Sequence, residues 1–360
     1  NAINFSISGG SQPYADRVEQ AFLKAYDNGI FVAASAGNSG PGANTVDHRG
    51  PWVTTVAAST SNRSFLSNLT LKASNCDTLS LSGATVTDGI NTPTPVVLSP
   101  DGVCDVQPAG TFHGEIVICP RVGARLLKSY NVANAGGGGV ILYNTTQLGV
   151  FTDNHFVPTV HIDQKEGKTL QDFMAAHTGV TGAFTRGAAT AQPGDIMAQF
   201  SSRGGPAQTL GVNKPDVTAP GVQILAGTTP KGATPLSGFP GQLFQSIQGT
   251  SMSSPHVAGA GALLKALHPD WTPGQIKSAL MTTAKTSVVL EDGVTPATPY
   301  DDGAGRIDLS KAGAPLVTFD ETGANYVALK DSLWNANYPS FYHPGLPGAI
   351  TVQRTARNVT

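Results

Sequence analysis

The chain has 360 residues, with 22 basic and 24 acidic side chains and a net charge of -2, so neither a polybasic nucleic-acid face nor an acidic tail is its theme. With 40% apolar and only 13% charged residues, it has the material for a large buried core. Its 42 glycines and 25 prolines argue against a helical bundle, and no apolar run approaches the roughly 18 residues of a membrane span.

The chain opens on Asn1-Ala2-Ile3-Asn4-Phe5-Ser6-Ile7, with no Met and none of the basic and apolar regions of a signal peptide. Ile3 to Ile7 reads as a short strand, and the last ten residues alternate like another that stops abruptly. The chain is therefore expected to be a window of a longer protein. Pro13 is placed to start a helix, and Val18, Ala21, Phe22 and Ala25 recur at helical spacing through Asn28, with Gly29 as a cap. Ile30 to Ala34 is an uninterrupted apolar run, as expected of a strand covered on both faces. Strand, helix and strand make one parallel unit. Asn38 then lies in the loop after the second strand, where open parallel sheets bind ligands; a simple turn asparagine beside Gly37 is the plainer reading.

From about Leu71 to Pro193 the texture changes. Strands are expected at Gly114–Cys119, Val140–Tyr143 and Thr159–Ile162, and helices at Leu126–Ala135 and Lys165–Ala176. Gly136 to Gly139 runs from helix into strand, the reverse of a phosphate loop, so these glycines are expected to end a helix and let the next strand pack closely. His155, His161 and His177 lack metal-ligand spacing, and structural roles are expected. Cys76, Cys104 and Cys119 cluster here without a Cys-x-x-Cys, which suits either a local disulfide or free thiols.

The densest motif is Gly249-Thr250-Ser251-Met252-Ser253-Ser254-Pro255-His256-Val257-Ala258-Gly259. Small residues at 258–262 predict a narrow helix, with Pro255 in its first turn and Ser251 at or beside its N-terminus. Free N–H groups and aligned peptide dipoles favour negative charge there, which suits a serine nucleophile; an N-capping serine is the bland alternative. Thr272 to Gln275 fits a capping box, and Asp301 with Asp302 reads as a solvated pair in a loop.

Gly37-Asn38-Ser39-Gly40-Pro41 and Gly249-Thr250-Ser251-Met252-Ser253-Ser254-Pro255-His256-Val257-Ala258-Gly259 resemble the oxyanion-hole and nucleophile motifs of subtilisin-like serine proteases. Asn4 to Gly10 resembles the strand that lines the substrate, and Thr218-Ala219-Pro220-Gly221 adds support. The resemblance implies an α/β fold: a three-layer domain with a mostly parallel sheet over 1–70 and 194–315. It further implies an inserted protease-associated domain over 71–193 and the start of a fibronectin-like β-sandwich over 316–360. It implies Ser251 as nucleophile, Asn38 as side-chain donor to the oxyanion, and Ser6, Ile7 and Ser8 as the edge that pairs with a peptide substrate. Ser35, Ala36 and Gly37 match a wall of the specificity pocket, with Gly249 and Thr250 beside the nucleophile. No metal-ligand set is identified, and no cofactor is expected beyond structural calcium.

The family's chain order is Asp, then His, then Ser, so both partners of Ser251 are expected before residue 1 and this window alone is expected to be inactive. His256 lies on the nucleophile's own helix, and His48 lacks the family's His-Gly-Thr setting. Two other readings compete. A pseudoprotease or binding module would act through the inserted domain. An α/β-hydrolase would need Gly-x-Ser-x-Gly where this chain has Gly249-Thr250-Ser251-Met252-Ser253. The resemblance implies a secreted protein with peptide or protein substrates; if a disulfide forms, Cys104 with Cys119 is the expected pair. Asn62, Asn68 and Asn144 open glycosylation sequons, meaningful in a eukaryotic host.

Overall fold

The computed structural model describes every residue except 209, 232–233, 347 and 360. The chain divides into two compact units, one of residues 1–62, 193–222 and 248–360, the other of 63–192 and 223–247. The second unit starts at Arg63, before the change in texture near Leu71, and takes in 223–247, which is expected with the nucleophile segment.

The first unit opens with β1 (Ala2–Phe5), α1 (Arg17–Asp27), β2 (Phe31–Ser35) and β3 (Thr54–Ser59). Helix α1 starts later than Pro13 suggests, because the Asp16 side chain accepts from the N–H groups of Val18 and Glu19 and caps it there. Every residue of β2 and β3 is buried, in keeping with their apolar runs.

The second unit holds β4 (Arg63–Lys72), β5 (Thr78–Ala84), β6 (Ile90–Leu98), β7 (Ile116–Pro120), α2 (Arg125–Asn134), β8 (Gly139–Tyr143), β9 (Thr159–Ile162), α3 (Gln164–Ala176), β10 (Thr181–Phe184) and β11 (Ala188–Ala191). Strands β6 to β9 are parallel neighbours, and β10 bonds both β6 and β4, so the sheet closes on itself. Closure removes two edges that would otherwise stand unpaired. Cys104 and Cys119 are joined by a disulfide inside this unit, and Cys76 is free and exposed. The glycine run fits tightly: Gly136 has φ +94, and a Cβ on Gly137, Gly138 or Gly139 would lie 2.4 Å from Val132 Cγ1, the Gly114 carbonyl oxygen or Ile90 Cδ1 respectively.

The chain returns to the first unit with β12 (Val217–Pro220) and passes through β13 (Ile224–Gly227) and β14 (Phe244–Ile247), an antiparallel pair in the second. It ends with α4 (Thr250–Leu267), α5 (Pro273–Thr282), α6 (Pro299–Asp302), α7 (Leu309–Ala312), β15 (Val317–Thr318), α8 (Gly323–Ala328) and β16 (Arg357–Asn358). Strands β1, β2, β3 and β12 form a four-stranded parallel sheet in that order, against which α1, α4 and α5 pack. The capping box at Thr272 and Gln275 is present.

Beyond 316 the only pairing among the described residues is the two-residue β15 with β16, while Tyr326, Leu333, Ala336 and Tyr338 join the first unit's core. The expected long terminal strand is therefore reduced to Arg357–Asn358. Asp302 also departs from its solvated reading: it is buried, and burial beside Asp301 raises its pKa to about 7.

Candidate functional site

Ser251 is the second residue of α4, half-buried at the helix N-terminus. Pro255 lies in the second turn, not the first, because the helix already begins at Thr250. A proline has no N–H to give the carbonyl four residues back, which here is that of Ser251. The Ser6 hydroxyl takes that place and donates to the Ser251 carbonyl at 2.7 Å. In return the Ser251 hydroxyl donates to the Ser6 carbonyl at 3.1 Å. Asn4 braces the pair, donating from Nδ2 to Ser6 Oγ at 3.0 Å and accepting from Ser254 Oγ at 2.7 Å. The sequence offers one signal for Asn4: it stands on β1 two residues before Ser6, the spacing that puts side chains of an extended chain on one side.

Asn38 follows β2. Its Oδ1 accepts from Thr250 N at 2.9 Å and from Thr250 Oγ1 at 3.0 Å. Two donors on one atom identify it as the oxygen and turn Nδ2 the other way. The buried Thr250 hydroxyl also accepts from Gly37 N at 3.1 Å, so one threonine ties the loop after β2 to the start of α4. Gly249 has φ 153 and ψ 159, a conformation that only glycine adopts readily. A Cβ there would lie 3.5 Å from Asn38 Nδ2 and 3.6 Å from Ser251 N. The two nitrogens thus lie near one point, with Met252 Sδ also 3.6 Å from it. Two fixed donors around one space can hold an anionic oxygen.

The remaining sequence-predicted residues fall around this centre. Ile7 and Ser8 are exposed beyond the end of β1. Ser35 and Ala36 are buried, and Ala36 donates from its N–H to the Val56 carbonyl and accepts at its carbonyl from Asp47 N. Gly37 accepts at its carbonyl from Ser202 N, and Ser39 N donates to Ser202 Oγ. Ser202 was not singled out from the sequence.

Neither histidine near Ser251 in sequence or motif presents a base to it. His256 is exposed, with Nδ1 against the Met252 carbonyl at 2.8 Å. His48 is buried, with Nδ1 2.7 Å from Glu19 Oε1 and Nε2 2.7 Å from the Ile7 carbonyl oxygen. Burial opposes its charge, but the bonds to Glu19 and Ile7 and the charges of Glu19 and Asp47 prevail and raise its pKa. The neighbouring Asp47 carboxyl is also raised, chiefly by burial, against the opposing pull of His48 and Arg49.

A family model described as the subtilase family matches residues 1–305. Subtilisin-like protease SBT5.4 of Arabidopsis thaliana is 33% identical over 412 residues, covering 100% of this chain and 52% of its own length. SBT1.3 of the same plant is 37% identical, over 88% of this chain and 44% of its own, and SBT1.6 is 34% identical, over 100% and 54%. The chain thus spans about half the length of the curated relatives it matches. Among solved structures, the psychrophilic subtilisin-like protease Apa1 from Pseudoalteromonas sp. AS-11 is similar over 88% of this chain and 70% of its own. That match has 17% identity and a TM-score of 0.36, a likeness too weak to add to the family match.

Proposed function

The chain belongs to the subtilase family, and from that premise we propose that it carries the nucleophile of a serine endopeptidase, Ser251, which cleaves peptide bonds through an acyl-enzyme. The observation that carries this reading is the shared space of Asn38 Nδ2 and Ser251 N beside Gly249. Attack by Ser251 Oγ turns a carbonyl oxygen into an oxyanion, and two donors that need no rearrangement stabilise it where it forms. Residues 6–8 take the substrate's backbone as an added strand, and Ser35, Ala36 and Gly37 wall the pocket for the residue before the cleaved bond.

The proton of Ser251 needs a base held by a carboxylate. In the proposal both come from a segment upstream of residue 1, so the chain alone is inactive. This is supported by the Ser251 hydroxyl's bond to a backbone carbonyl and by the length of the relatives. The second unit serves as a protease-associated domain, and the residues from 316 lead towards a fibronectin-like sandwich. Secretion is supported by the Cys104–Cys119 disulfide, which suits an oxidising compartment. Among the described residues no helix is long and apolar enough to cross a membrane.

A second reading, a binding module without peptidase activity, draws on a cavity of about 540 Å³ in the second unit, lined by Arg63, Phe65, His155, Arg186, Gln223 and Phe244 among others. Labelling with a fluorophosphonate separates the two. The expected adduct is on Ser251 in the longer protein and absent from residues 1–360 alone. A longer protein that is neither labelled nor hydrolyses peptides refutes the peptidase and favours the binding module.

A further inference from the structure

Residues 6–8, the edge assigned above to substrate, and the two glycines that follow them are held from two sides. In an extended chain, successive carbonyls face opposite ways. The Ser6 carbonyl meets Ser251, and the Ile7 carbonyl turns to His48. The backbone N–H groups of His48 and Arg49 then donate to the carbonyls of Gly9 and Gly10 at 2.9 and 3.1 Å. One carbonyl of the edge, that of Ile7, and the two glycine carbonyls just after it are thus fixed by residues 48 and 49.

A carbonyl oxygen only accepts, so His48 Nε2 carries a hydrogen. The raised pKa of His48 favours a second proton on Nδ1, directed at Glu19 Oε1 at 2.7 Å, and so the imidazolium. Both side chains are essentially inaccessible, at 1% and 0% exposure. The other Glu19 oxygen is buried with no hydrogen-bond partner among the described residues. The rings of Phe5 and Phe22 flank the imidazole at 5.4 and 6.2 Å. Gly10, at φ +74, provides the room: a Cβ there would lie 2.5 Å from Glu19 Oε1 and 2.9 Å from His48 Nδ1. A buried ion pair is weak support for stability, because desolvation offsets much of its attraction. What this pair supplies is a charged donor aimed at one carbonyl of the edge.

We propose that Glu19 and His48 form a positioning device for the substrate edge, holding the Ile7 carbonyl so that residues 6 and 8 present their backbone groups in register to an extended peptide. The inference rests on the peptidase reading. The charged groups facing His48 are Glu19 from α1 and, on its own segment, Asp47, which in turn faces Arg49. When the pair loses a proton, one remaining hydrogen must serve both Glu19 and Ile7, and the edge is released from one side.

The test is Glu19→Gln in the full-length protein with its upstream segment, a change that keeps the side chain's shape. A charge-assisted bond of this kind corresponds to a factor of about ten or more, so the KM of a peptide spanning residues 6–8 rises roughly tenfold, while kcat changes less than about threefold. In the unsubstituted protein, KM rises on the alkaline side, and in Glu19→Gln that limb moves or disappears, a shift that mere loss of packing does not produce. Amide exchange is the second readout: residues 6–10 exchange about ten times faster in the variant, with β2 and β3 unchanged. A KM within twofold of the unsubstituted protein, or unchanged exchange at 6–10, overturns the inference. Failure of the unsubstituted protein to label at Ser251 overturns the peptidase reading instead, and the exchange result still stands for or against the device.

Discussion

Replacing Gly249 with alanine tests the geometry on which the proposed chemistry depends. The added methyl would stand 3.5 Å from Asn38 Nδ2 and 3.6 Å from Ser251 N. An oxyanion bonded to both nitrogens sits about 2.9 Å from each, so methyl and oxyanion compete for one space. In subtilisin itself the loss of one such donor lowers kcat by about 10² to 10³, a figure from that enzyme and not from this geometry. Here both donors are obstructed, so kcat for a chromogenic peptide falls at least about 100-fold in the full-length protein. The backbone at φ 153 adds strain of about 1–3 kcal/mol, which lowers the melting temperature by roughly 2–12 °C and leaves the protein folded at 25 °C. Steady-state kinetics with near-ultraviolet circular dichroism as the fold control are the assay. A folded Gly249→Ala protein whose kcat stays within about threefold of the original refutes the reasoning, because the space beside Gly249 is then not where charge develops.

Thr250→Val keeps the shape of the side chain but leaves the Gly37 N–H without its acceptor, at a cost of about 1–3 kcal/mol seen in urea unfolding, and Thr250→Ser restores most of it. Asp302 has its folded pKa raised to about 7, above its unfolded value, so it favours the fold fully below about pH 4 and loses that contribution as pH rises through 7. Asp302→Asn therefore melts higher than the original at pH 8, with the difference vanishing near pH 4; equal melting temperatures at pH 8 contradict the sign. Alkylation under denaturing, non-reducing conditions modifies Cys76 alone, and three labelled thiols refute the disulfide. Reduction of Cys104–Cys119, 15 residues apart, costs the second unit about 3 kcal/mol in denaturant unfolding.

Local chemistry was legible where neighbours in sequence decide it. The capping box at Thr272, the buried run of β2 and the Gly29 exit of α1 are settled within a turn or two of chain. Long-range pairing was not. Nothing near β10 says that it bonds both β4 and β6, and nothing in 223–247 says that it clusters with a unit whose other residues end at 192. Motifs brought Ser6, Asn38, Gly249, Thr250 and Ser251 into view, and the structure brings them together through the bonds of Thr250 and Ser6. Glu19 and Asn4 escaped notice because a polar residue on a helix or strand reads as solvated until its partners are known. The motif around Pro255 suggests a first-turn proline, but no residue before Gly249 marks where α4 begins, and its start at Thr250 puts Pro255 one turn further in.

The run Gly136 to Gly139 looks like the least informative stretch of the chain, four copies of the simplest residue. Its surroundings make it one of the most demanding. One position is set by its backbone angle, and the other three by three unrelated neighbours, a valine methyl, a carbonyl oxygen and an isoleucine methyl. Compensating changes at one site therefore leave the others as they were. A saturation scan should show intolerance that is strongest at Gly136 and Gly138, which face backbone oxygens, with rescuing second-site changes that do not overlap. A sequence search that masks repetitive segments would discard, in this protein, a stretch whose every position is held by its surroundings.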